Sequence, residues 1–275
     1  MKKHILTLIA ITLSTVCFGQ TDTIYSNNET FSCVVKEITP DVVKYTFQGE
    51  ELINSIYKNT VQKIVFKSGR VQTFAETKIY KKIMGVDDFE NVIVTQFESE
   101  VKGLHKIGDL YSNKSGATIF SSQGKIKERA MQSLKMQGAM QGANAIYLTN
   151  IQMTGNSNGF NYYYGMSKET HLTAVGFSSQ MPNIDEFKKV INDKKSFTAV
   201  LEAKMWSDSD KIVKTDIQRN FLINNISLDN GMIIVDGEFK FEPKCKSFRV
   251  VSFDKDCFFV YYKYKNTAYN IKIKI

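Results

Sequence analysis

Glu128 to Ile151 reads ERAMQSLKMQGAMQGANAIYLTNI, the signature of a helix that ends on a glycine and passes directly into a buried strand. Ser121 or Ser122 can cap a helix over roughly residues 123–141. Ile126, Ala130, Leu134 and Gly138 recur every four residues and therefore share one face. A glycine inside a helix costs about 1 kcal/mol relative to alanine. Gly138 is tolerable if the helix must approach a sheet closely, and the tandem Met136-Gln137-Gly138-Ala139 and Met140-Gln141-Gly142-Ala143 puts small residues one turn apart. Gly142 stands where a left-handed terminating residue is wanted. Ala145 to Ile151 then predicts a strand beneath the helix.

Working outward, Val92-Ile93-Val94-Thr95 predicts a strand before the helix, and Gly103 and Gly108 punctuate the turn after it. Beyond the second strand, Gly155 to Thr170 is rich in Asn, Gly and Tyr and too polar for a core. Leu172 to Phe177 resumes as strand. The region from 81 to 180 is thus a β-α-β module packed by one main helix.

Residues 181–275 open with Asn183 and Glu186 in a capping-box arrangement, which starts a short helix to about Asn192. β-Branched and aromatic runs follow at 197–206, 221–228, 232–241, 248–253 and 258–264. Asn230-Gly231 is a strong hairpin signal, and Asp254-Lys255 suggests a second. This segment reads as an antiparallel sheet domain. Residues 20–80 read as a small antiparallel β domain, with strand runs at 34–35, 42–47 and 61–66 separated by Pro40-Asp41, Gln48-Gly49 and Ser68-Gly69. The fold class is therefore α+β, mostly antiparallel β.

Residues 1–19 read as a signal peptide. Lys2 and Lys3 precede an apolar run from Ile5 to Val16, and Cys17 and Gly19 are small residues at the −3 and −1 cleavage positions. Twelve residues at about 1.5 Å rise fall short of a hydrocarbon core of about 30 Å. Lipid attachment at Cys17 is a competing reading, and Val16 fits it poorly. No later stretch reaches eighteen apolar residues, so no transmembrane span is expected. The implied location is the periplasm or the periplasmic face of the outer membrane, with secretion as an alternative. Cys33, Cys245 and Cys257 remain after cleavage, too few and too scattered for a disulfide framework. A Cys245–Cys257 bridge is the alternative to three buried thiols.

The formal charge of +8 is diffuse, with lysines and acids alternating, and nucleic acid is not an expected partner. A serine or cysteine nucleophile needs a base within hydrogen-bond reach. The region around Cys33 has no histidine to act as that base. No glycine-rich loop joins a strand to a helix as phosphate binding requires. His105 and His171 could form a metal site if the first and last strands of the central region are neighbours, with Glu98, Glu100 or Asp109 nearby. Neither His-x-x-x-His nor Cys-x-x-Cys spacing accompanies them. The expectation is therefore no cofactor, with a metal as the alternative. Tyr162-Tyr163-Tyr164 offers contact area with polar tips and predicts an interaction surface.

The pattern of Val101, Gly103 and Leu104, then Ala130, Leu134 and Ala139, then Gly142-Ala143-Asn144-Ala145-Ile146, then Ala174-Val175-Gly176 resembles a small bacterial heavy-metal-binding domain family with a β-α-β fold. The match spans about eighty residues. Tyr147 departs from it, standing where the family carries a small aliphatic residue. The resemblance implies self-association as a homo-oligomer, and Gly138, Gly142, Asn144 and Gly176 are the expected structural residues. Val35 to Tyr45 is similar to a short β module of exported bacterial proteins. Together these readings describe an exported, non-enzymatic envelope protein that binds a protein or small ligand. A periplasmic metal-binding or metal-sensing protein is the first alternative, and a carboxylate-based envelope enzyme the second.

Overall fold

The computed structural model describes residues 21–27, 29–74, 79–118, 120–155, 167–207, 209–240 and 245–275. The expected signal peptide and the Tyr162–Tyr164 cluster lie outside them. The chain divides into two compact units, one up to residue 77 and one from residue 78 onward. Strand dominates both, nearly all of it antiparallel.

The first unit is a single six-stranded sheet of β1 (Asp22–Ser26), β2 (Thr30–Ile38), β3 (Val42–Thr46), β4 (Asn54–Tyr57), β5 (Val61–Val65) and β6 (Val71–Thr73), in the order β4-β3-β2-β1-β5-β6. Ile24, Cys33, Val43, Val61 and Ile64 form its core. Burial, and secondarily the charge of Asp22, pushes the Cys33 thiol up to about 11, so this cysteine packs as a small apolar residue.

Asp22 is buried, and its carboxylate accepts the Val35 N–H and the Lys67 N–H, both at 2.8 Å. One side chain thereby ties β2 to the end of β5. Asp22→Ala strands both amides and should cost about 2–3 kcal/mol. Hydrogen exchange at Val35 and Lys67 should accelerate at least tenfold; unchanged protection at both amides would show the carboxylate to be dispensable.

In the second unit, β7 (Ile93–Thr95), β8 (His105–Ser115), β9 (Ala145–Thr154) and β10 (Glu169–Ser178) form a four-stranded sheet in the order β7-β9-β10-β8. Only β7 and β9 pair in parallel. Helix α1 (Gln123–Gln141) covers one face and buries Ile126, Ala130, Leu134 and Ala139. Gly138 makes this approach possible, because a Cβ there would sit 3.0 Å from Ile146 Cδ1. Gly176 serves the same contact from the sheet side, with a Cβ falling 3.2 Å from that of Ala143.

The sequence places a turn at both Gly103 and Gly108. Gly103, with φ +79°, is in one, but Gly108 lies within the eleven-residue strand β8, beside a register shift in its pairing with β10.

Residues beyond 180 do not form an open sheet. Strands β11 (Ser196–Trp206), β12 (Val213–Asp229), β13 (Met232–Phe239), β14 (Ser247–Phe253), β15 (Cys257–Tyr264) and β16 (Thr267–Lys274) close into a barrel, because β16 pairs back onto β11. Phenylalanine rings fill the interior: Phe221 lies 4.7 Å from Phe239, 5.2 Å from Phe248 and 6.3 Å from Phe258, centroid to centroid. Helix α2 (Ile184–Ile191) is capped by Asn183 Oδ1, which accepts the N–H groups of Asp185 and Glu186. It inserts Phe187 against Phe253 and Phe258. Cys245 and Cys257 are free thiols. Among the described residues, no helix is long and apolar enough to cross a membrane.

Candidate functional site

Helix α1 is hemmed on two sides, and the clefts beside it follow from that. Its second face, carrying Met136 and Met140, packs on the outer wall of the barrel through Ala203 and Met205, together with Val86. Polar anchors hold the joint. Arg249 donates to the Gln141 carbonyl at 2.8 Å and to the Ile107 carbonyl at 3.1 Å. Asn270 Nδ2 donates to the Met140 carbonyl at 3.1 Å, and Ser252 Oγ to that of Met84. The last turn of a helix has carbonyls without helical partners, and here the barrel supplies the donors. Burial lowers the Arg249 pKa from its ordinary value, and its guanidinium lies 5.1 Å from the Tyr261 ring centre.

At the other end of the joint, the segment between β11 and β12 is drawn onto α1. Ser209 O accepts from Lys114 Nζ at 2.8 Å and from Ser133 Oγ at 3.3 Å. Arg129 Nε meets Asp210 Oδ2 at 2.6 Å. The Arg129 hydrogen bond is the main cause holding the Asp210 carboxyl below the usual carboxylate range. This pair's contribution is therefore present at neutral pH and fades as acid protonates Asp210.

A 3-10 turn, Val86–Asn91, crosses α1 and leaves a cleft on either side. The first, of about 420 Å³, lies between α1 and the barrel. Val86, Phe89, Met136 and Ile212 line it with apolar surface, and the Asp87–Lys214 and Arg129–Asp210 ion pairs stand beside it. The second, of about 460 Å³, opens along β7 and reaches Met131, Lys135 and Leu148. Such volumes suit small ligands or single side chains, and pockets favour the junction of two packed parts. Flexible, polarisable methionine side chains adapt to varied apolar partners.

The structure does not bring His105 and His171 together. The first and last strands, β7 and β10, are separated by β9, and His105 lies instead on β8, where it pairs with Ser178 while His171 pairs with Asn113. Seven positions along β10 separate them, roughly 23 Å at about 3.3 Å per residue. His171 instead joins Tyr111 OH at 3.3 Å and Glu169 Oε2 at 3.1 Å. Among the described residues, no three His, Cys, Asp or Glu side chains gather as a metal ion would require.

Gly142 ends α1 at φ +82°, and the Ala143 N–H returns to the Gly138 carbonyl at 2.9 Å. Asn144 is buried; its Nδ2 donates to Ser179 Oγ at 2.8 Å and its Oδ1 accepts the Ser179 N–H at 3.0 Å. It ties the entry of β9 to the exit of β10.

The clefts themselves were not foreseen from the sequence. Their walls come from residues 86–96, 131–136, 148 and 210–214, and only the clustered methionines of α1 carry any local signal. No protein-family model, curated protein or solved structure matches this chain.

Proposed function

We propose that this chain is an exported, non-enzymatic protein of the cell envelope that binds a small apolar ligand or an apolar side chain of a partner, and that it self-associates through the module around α1. The cleft bounded by Val86, Phe89, Met136 and Ile212 carries the binding part of this reading. It has apolar walls with ion pairs beside them, and it lies where two packed parts of one unit meet. Both carboxylates at its rim, Asp87 and Asp210, are engaged by cations, an arrangement that suits recognition and solubility rather than proton transfer. The amino-terminal pattern of Lys2, Lys3 and the run from Ile5 to Val16 supports export.

Titration with the apolar fluorophore N-phenyl-1-naphthylamine tests the site. The mature protein should bind it saturably, and Ile212→Lys, which puts a charge on a partly exposed wall, should weaken binding at least tenfold without changing the thermal midpoint. Absence of saturable binding, or binding indifferent to Ile212→Lys, would refute the assignment.

A further inference from the structure

The two edges of the four-stranded sheet are treated differently. An edge strand presents backbone groups that can pair with another chain unless something blocks them. Along β8 they are blocked: the Ile107 carbonyl accepts from Arg249 at 3.1 Å, Tyr111 from Gln137 Nε2 at 2.9 Å, and Ser115 from Arg129 at 3.4 Å. These carbonyls recur every four residues, and two of their three donors come from α1, which acts as a cover along that edge.

The other edge, β7, has an open groove beside it. Ile93 N–H donates to the Asn144 carbonyl at 3.0 Å, which fixes Ile93 and Thr95 as the residues bonded to β9. The alternation of a strand then turns the N–H and C=O of Val94 outward. Val92 N–H is taken by the Phe89 carbonyl, so the Val92 position offers its carbonyl. Read outward from Val94, the edge presents an acceptor at Val92, both groups at Val94 and a donor at Gln96. This pattern is complementary to itself when a second copy is laid antiparallel across a two-fold axis at Val94.

We infer that the β7 edge pairs with the β7 edge of a second copy of this chain, joining two four-stranded sheets into one continuous sheet. Val94 exchanges both backbone bonds with Val94 of the second copy, and each Gln96 N–H meets the other copy's Val92 carbonyl. A two-fold axis normal to the sheet keeps the helix faces together. The Val94 side chain of each copy therefore enters the groove lined by Val94, Met131, Lys135 and Leu148 of the other. The contact is isologous and closes at a dimer. This inference rests on the self-association proposed above and assigns its surface and symmetry.

Sedimentation velocity on the full mature chain tests it, together with cross-linking. The wild type should sediment as a dimer. Val94→Pro removes an outward N–H that the fold itself does not use, a position where an edge strand accepts proline, and should give a monomer with an unchanged circular dichroism spectrum. In a Cys245→Ser background, Val94→Cys should form an intermolecular disulfide on mild oxidation, because paired residues of this kind lie about 5.5 Å apart between Cα atoms. Gln96→Cys, displaced from its own copy by about 13 Å at about 3.3 Å per residue, should not. A monomeric wild type overturns both self-association and this surface. A dimer that survives Val94→Pro and gives no cross-link through Val94→Cys overturns the surface alone.

Discussion

Phe221→Ala is expected to lower the unfolding free energy of the second unit by about 3–5 kcal/mol, the range for deleting a buried aromatic ring. Phe221 is fully buried, and three other rings pack around it. No smaller side chain can fill the resulting void without moving Phe239, Phe248 or Phe258, which also line the barrel wall. The chain has a single tryptophan, Trp206, at the end of β11, so urea unfolding followed by its fluorescence reports on the barrel directly. A midpoint shift equivalent to less than about 1 kcal/mol would mean that the barrel interior collapses around the gap.

Gly142→Val should be nearly as damaging, by about 3 kcal/mol, for two separate reasons. The left-handed conformation costs an L-residue roughly 1–2 kcal/mol. Overpacking adds about 1–3 kcal/mol, because a Cβ at Gly142 would fall 2.8 Å from Val251 Cγ1 and 3.3 Å from the Val251 carbonyl oxygen. The substitution acts at the joint between α1 and the barrel, at the end where Arg249 meets the Gln141 carbonyl. Gly142→Asn separates the two causes: asparagine tolerates the backbone conformation but still collides with Val251, and should retain the steric part of the loss. Full stability in Gly142→Val, by the same fluorescence measurement, would contradict the close approach.

Local chemistry explains why some of this was legible in the sequence. Helix α1 occupies the expected residues because its four-residue apolar spacing and its terminal glycine are both local in sequence; Ser122 stands at the N-cap position, but its side chain makes no capping hydrogen bond. The Asn183 cap of α2 and the Asn230-Gly231 hairpin, with both residues at positive φ, were readable for the same reason. Strand β8 was not. Its inward positions include Ser112 and Lys114, both buried, which erases the apolar alternation a strand normally shows. Lys114 is inside because its ammonium serves the Ser209 carbonyl, a partner ninety-five positions away. Barrel closure was invisible on similar grounds, since nothing in residues 196–206 marks them as the partner of 267–274. Strand β16 itself, Thr267–Lys274, alternates lysine with isoleucine only in its last turn of sequence and went unread. The two histidines illustrate the converse failure. His105 lies on β8, a strand that the sequence does not show, and register, set by contacts made elsewhere, decides where along a strand pair a residue lies.

The donors that Arg249 and Asn270 extend to the end of α1 have a consequence for how this chain can be inherited. A gene fragment ending near residue 180 would encode a helix whose final carbonyls, and whose methionine flank, have lost their complement. The sheet-and-helix part and the barrel are therefore expected to tolerate exchange as a block and not division near residue 180.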